Sequence, residues 1–246
     1  MKLKSIVKYN LSSLKNALVI YYAIFITVCV FLILTSRKST GVYSSGLEVS
    51  SAIFIFVVGL NFFKEKFYFM KSNNVTRQEF IYGTAITMIP VALFMSILDI
   101  IINRIYNIFI NCPTVYDMVY TDLIYRRWPS TNWVQSNSIE ILFNTCICQA
   151  MAYLVFFSLG FLITIIYYKS NSLMKILVSA MPVALVIVLN IIGISHPSII
   201  NKIMNFSTTI FGWNTQNSHI AMLTCIVIYV ILIGISRLLT RRAIIK

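Results

Sequence analysis

Residues 17–34 read ALVIYYAIFITVCVFLIL, eighteen positions without a charged side chain. As a helix rising 1.5 Å per residue, such a run approaches the ~30 Å of a bilayer's hydrocarbon core, and no water-soluble domain exposes one. Five more segments are comparably apolar: 49–63, 81–102, 139–167, 176–194 and 220–235. Lipid offers no partner to a backbone N–H or C=O, so segments of this kind satisfy themselves as helices. The expected fold class is an all-α membrane protein with six transmembrane helices, a single transmembrane domain over residues 1–246. The second and sixth segments are short for a crossing, and the fourth is long enough to tilt or to break near Gly160. Composition agrees: 59% of the 246 residues are hydrophobic, 11% are charged and the mean hydropathy is +0.84.

In such a chain a net charge of +13 is read by position. With the N-terminus inside, fourteen of the twenty Lys and Arg fall on inner segments, among them Lys4, Lys8, Lys64, Lys66, Lys71, Arg77, Lys169, Lys175, Arg237 and Arg241. The outer segments hold Arg37, Lys38, Arg104, Arg126, Arg127 and Lys202, and also all three tryptophans, Trp128, Trp133 and Trp213. This is the asymmetry of the positive-inside rule with an outer aromatic belt, and it places both termini in the cytoplasm. The charge therefore points to membrane topology and not to nucleic acid. No small-residue cleavage site follows residue 34, so the first apolar run reads as a retained span. Four of the five cysteines lie within spans, which argues against a disulfide framework.

The inner segments have internal order. In residues 1–16, Leu3, Ile6 or Val7, Leu11 and Leu14 recur at helical spacing among Lys2, Lys4, Lys8 and Lys15, as in an amphipathic helix lying on the inner leaflet. The bridge at 64–80 extends the second helix along a stripe of Leu60, Phe63, Phe67 and Met70. Ser72-Asn73-Asn74 then supplies a turn, and Thr76-Arg77-Gln78-Glu79 a capping box before the third span. Outside, loop 103–138 is too apolar for a free tether and is expected to pack on the outer mouth. Segment 196–219 reads as a re-entrant or interfacial helix pair.

Chemistry is sparse. Ionisable groups at membrane depth mark functional sites by default, and only Asp99 and Glu140 qualify. Asp99 has two readings, an interfacial charge pairing with Arg104 or a lining of a substrate path. Glu140 sits where a helix start favours a carboxylate. Pro90, Pro182, Asn144, Gln149 and Asn190 are the remaining mid-span candidates for a translocation path. The scarcity of titratable groups weighs against a proton-driven pump. No metal-binding H-E-x-x-H, no G-x-S-x-G nucleophile and no G-x-x-x-x-G-K-[ST] phosphate loop occurs, so catalysis and ATP binding are not expected of this chain.

Val75-Thr76-Arg77, Phe80 and Gly83-Thr84 carry a resemblance. With the basic N-terminal helix and six spans, they resemble the membrane subunit of an ABC-2 type ATP-binding cassette exporter, whose members show a hydrophobic-Ser/Thr-Arg segment, an aromatic and Gly-Thr where the third span starts. The layout covers the whole chain, with loop 103–138 longer than the family implies. The resemblance implies a coupling helix at 63–75 that docks on a separate cytoplasmic ATPase, two copies of which bind ATP and Mg. Phe67, Phe69 and Met70 would be its apolar plug, and Lys64, Glu65, Lys66, Lys71, Arg77 and Glu79 its polar rim. It also implies extracellular helices between spans five and six, a second copy or a paralogous permease, and a bacterial plasma membrane. The small size is similar to exporters of phenol-soluble modulins or antimicrobial peptides, moving an amphipathic or lipid-like substrate. An ATP-independent transporter or channel, and a membrane accessory or immunity protein, are the alternatives. The topology makes a direct prediction: a cysteine placed at either terminus should resist a membrane-impermeant maleimide in intact cells and react after permeabilisation.

Overall fold

The computed structural model describes residues 2–36, 44–121 and 135–241, and for Lys2, Lys64 and Glu65 the backbone alone. Among the described residues the chain is entirely helical: α1 (Lys2–Ser36), α2 (Glu48–Ser72), α3 (Arg77–Asn107), α4 (Val115–Tyr120), α5 (Ile139–Lys169), α6 (Ser172–Ser195), α7 (Pro197–Ile210) and α8 (Ser218–Arg241). Five of them, α1, α3, α5, α6 and α8, are long and apolar enough to cross a membrane, so the protein is a multi-pass membrane protein. The second expected span is the exception. The apolar part of α2 covers only Glu48–Phe63, because Lys64, Glu65 and Lys66 interrupt it.

The hub is α5, which packs along α2 over the longest interface among the described helices and also against α8 and α3, while α1 packs on α3. A helix apolar around its whole circumference belongs at such a centre. The crossing of α2 and α5 is a backbone contact. A Cβ on Gly59 would collide with the carbonyl oxygen of Phe157, and a Cβ on Gly160 with that of Phe56. In lipid, helices gain nothing by hiding apolar surface from one another, so dispersion across a close approach and hydrogen bonds between helices hold them. Thr164 adds such a bond, its Oγ1 donating to the Leu60 carbonyl at 2.5 Å. Beside the crossing, Phe62, Phe63, Phe157 and Phe161 form an edge-to-face and stacked aromatic cluster.

Three local expectations are corrected. Residues 1–16 form no separate interfacial helix, since α1 runs unbroken into the first span and buries Ile6, Asn10 and Leu14. A Cβ on Gly83 would press on the Ile6 side chain, which shows how closely α1 lies on α3. At Gly160 α5 does not break, because that glycine serves the crossing with α2. The bridge follows its expected order, α2 running on to Ser72 before a turn and the capped start of α3, so the segment at 63–75 is the end of α2 and its turn. Segment 196–219 holds one helix, α7, followed by a turn in which Gly212 has φ +63°. Arg37, Lys38, Arg126, Arg127, Trp128, Trp133, Arg242 and Lys246 lie outside the described residues.

The outer loop packs as expected where it is described. Thr114 and Asp117 form a capping box on α4, Glu48 accepts from the Val115 N–H, and Tyr120 donates to the Phe211 carbonyl at 2.7 Å. Burial pushes the Cys112 thiol up to about 11 and raises the Asp117 carboxyl above its ordinary value against the Thr114 hydrogen bonds that lower it. By contrast, among the described residues α6 buries none of its side chains and packs mainly against α7 and the end of α5. Replacing Gly59 or Gly160 by Leu should cost about 1–3 kcal/mol or more by forcing α2 from α5, read as a lower unfolding midpoint in mild detergent. Gly193→Leu, with nothing within 4 Å, should leave that midpoint unchanged.

Candidate functional site

Two polar features stand out of this apolar bundle, a hairpin where α2 hands over to α3 and a buried carboxylate between α1, α2, α3 and α5. The hairpin is fully closed on itself. Asn74 takes the left-handed conformation at φ 55°, the Val75 N–H reaches back to the Met70 carbonyl at 3.1 Å and the Asn74 N–H to that of Lys71 at 3.0 Å. This is a Schellman ending, with Val75 and Met70 as its apolar pair. One residue on, the Thr76 hydroxyl accepts from the Glu79 N–H at 3.2 Å and the Glu79 carboxylate takes the Thr76 N–H at 2.9 Å, the expected capping box.

The stripe on α2 faces inward. Phe63 and Phe67 stack at 4.8 Å, and Phe67 meets Phe80 of α3 and Tyr168 of α5 edge-on. Phe67 and Met70 are buried within this chain, so neither is free to plug a partner's groove. The physical reason is periodicity: the helix continues without a break, so its buried stripe continues too. What the tip exposes is Tyr68, Phe69, Lys71 and the turn Ser72-Asn73-Asn74. Phe69 is itself stacked on Tyr9 of α1 at 4.6 Å. Lys66 lies over the Phe62 ring at 3.7 Å, and Arg77 is turned toward α8. Glu79 is committed to its cap, and of Lys64 and Glu65 only the backbone is placed.

Asp99 is buried between helices and is not paired with Arg104. It is 4% exposed and accepts from Tyr22 Oη at 3.0 Å and from Tyr153 Oη at 2.5 Å. Ser51 of α2 is a close neighbour, its hydroxyl bonded to Tyr21 Oη at 2.8 Å. Hydroxyls from α1 and α5 thus converge on one carboxylate, and charge-assisted bonds of this kind are the strong ones in a medium without water. One turn away along the same seam, Ser96 bonds the Cys146 carbonyl at 2.7 Å and Gln149 Oε1 at 3.4 Å. Asp99 and Gln149 therefore share the α3–α5 seam. Pro90 faces outward on α3, and Asn144 is half-buried on α5. Pro182 and Asn190 lie exposed on α6, Asn190 bonding only back to its own helix at Val186. These six do not gather into one path.

Sequence reasoning missed Tyr22, Ser51 and Tyr153. The signal was present: a tyrosine in mid-span, away from the aromatic belts, has a hydroxyl that must find a partner. Ser138 caps α5 through the Ile141 N–H, leaving Glu140 exposed in the first turn, where its charge suits the helix start. Among the described residues no three His, Cys, Asp or Glu cluster as a metal site. The guanidinium of Arg104 is buried with no hydrogen-bond partner among the described residues. No protein-family profile, curated protein or solved structure matches the chain.

Tyr153→Phe should destabilise the protein by about 1–3 kcal/mol, because it removes a donor from a buried carboxylate. Tyr82→Phe, at an exposed ring, should cost nothing measurable. Equilibrium unfolding in mixed micelles compares the two.

Proposed function

We propose that the chain is the membrane subunit of an ATP-driven ABC-2 type exporter, moving an amphipathic or lipid-like substrate, such as a peptide toxin or antimicrobial peptide, out of a bacterial cell. In this reading α2 completes the sixth span despite its short apolar stretch, both termini face the cytoplasm, and the subunit works as a pair with itself or a paralogous permease. Two soluble ATPase subunits carry ATP and Mg. Through them, nucleotide-driven closure pushes on the α2–α3 hairpin and rocks the helices fused to it.

The observation that carries the reading is the hairpin. Its backbone is satisfied by a Schellman ending and a capping box, so it transmits force without melting, and its tip presents Tyr68, Phe69 and Lys71 to a partner. Because Phe67 braces the hairpin from inside, the docking surface is the outer face of the tip. The position of α7 between α6 and α8 also fits the extracellular helix that the family resemblance implies.

Asp99 favours a second reading, an ATP-independent transporter in which the carboxylate carries a coupling ion. Reconstitution separates the two. Co-expressed with a soluble P-loop ATPase encoded beside it, the chain should co-purify with that ATPase and show substrate-stimulated ATP hydrolysis in lipid. Phe69→Ala with Lys71→Glu should abolish the association while leaving the fold intact by size-exclusion profile. Transport in vesicles driven by an ion gradient alone, abolished by Asp99→Asn, would establish the second reading instead.

A further inference from the structure

Arginines gather where α3 begins and α8 ends. Thr76, Arg77 and Gln78 from the first turn of α3 face Arg237, Thr240 and Arg241 from the last turns of α8 across a cleft of about 580 Å³. Arg77 is half-buried and donates Nη1 to the carbonyl oxygens of Thr240 at 3.3 Å and Arg241 at 3.1 Å, which locks the two helix ends together. Arg237 lies 5.2 Å from the centre of the Tyr82 ring and reaches Gln78 Oε1 at 3.5 Å. Arg241 is exposed at the rim. The nearest acid in sequence, Glu79, spends its carboxylate on the Thr76 N–H and hydroxyl. Among the described residues no carboxylate bonds any of the three guanidiniums.

Three cations around one cleft repel one another, and a guanidinium fork matches two oxygens of a phosphate. Depth selects the source of that phosphate. Both α3 and α8 are membrane-crossing helices, and the cleft lies between the first turn of one and the last of the other, the level at which crossing helices leave hydrocarbon for headgroups. Leu238, 67% exposed, lines the same cleft and offers an apolar wall where an acyl chain begins. We infer that the α3–α8 cleft binds a phosphate-bearing anion, supplied by the headgroup of an anionic phospholipid. Basic pockets between membrane helices have the chemistry for this. The inference stands apart from the exporter reading, since it needs only the two helix ends and their charges. Bound there, the lipid would bridge the hairpin's exit to the end of α8.

The test uses the full chain purified in neutral detergent, titrated with dioctanoyl phosphatidylglycerol, dioctanoyl phosphatidylcholine or inorganic phosphate and read by native mass spectrometry. Arg77 is left in place because it caps α8. The double variant Arg237→Gln, Arg241→Gln should fold normally by size exclusion and bind phosphatidylglycerol about tenfold more weakly or worse. Lys202→Gln, on α7, should bind as the wild type does. Preference for phosphatidylglycerol over both other probes, lost in the double variant, supports a lipid occupant. Displacement by inorganic phosphate at similar concentration supports the phosphate site with a soluble source. Equal binding of phosphatidylglycerol by wild type and double variant overturns the inference. So does an absence of binding to either phosphate or phosphatidylglycerol, accompanied by an acidic partner protein whose capture the double variant loses.

Discussion

At the crossing of α2 and α5 two backbones meet with no side chain between them, the carbonyl of Phe157 occupying the space a Cβ on Gly59 would need and that of Phe56 the space of one on Gly160. In a bilayer the surrounding lipid tails are as apolar as any side chain, so helix association depends on contacts that lipid cannot match. A glycine pair gives one such contact, and the aromatic cluster of Phe62, Phe63, Phe157 and Phe161 fills the space to one side of it. Because α5 also carries α3 and α8, the position of almost every other helix is referred to this crossing.

Asp99 is the polar counterpart of that contact. A carboxylate in hydrocarbon is costly alone, yet here it collects hydroxyls from α1 and α5 and lies beside Ser51 of α2. The group that looked most like a site on a substrate path is thus also an anchor joining α1, α3 and α5. The two roles differ in what a substitution would change, one altering stability and the other altering coupling between transport and its energy source.

Much of the helical layout was legible in the sequence, because runs of apolar residues and capping residues act locally. Thr76 and Glu79 declared the start of α3, Asn74 the end of α2, and the run at 17–34 the first span. What the sequence concealed was tertiary. Helical spacing placed Phe67 and Met70 on one stripe but could not say whether a partner or α3 and α5 would cover it. Gly160 read as a weak point because a glycine costs a lone helix stability. Its value appears only when Gly59 is found opposite. Tyr22 and Tyr153 are separated from Asp99 by more than fifty residues each, and no local pattern links them.

In the same bundle α6 is held differently from its neighbours. It leaves most of its surface uncovered by the described residues, including Asn190 and the open side of Gly193, and meets them near its two ends. Among the described residues, a hydrogen bond between Tyr167 and Ser179 ties its start to α5, and α7 holds its other end. Its angle to the membrane normal also answers to the match between its apolar length and the thickness of the surrounding bilayer. What surrounds α6 in the membrane therefore weighs more in its placement than packing against its own chain does.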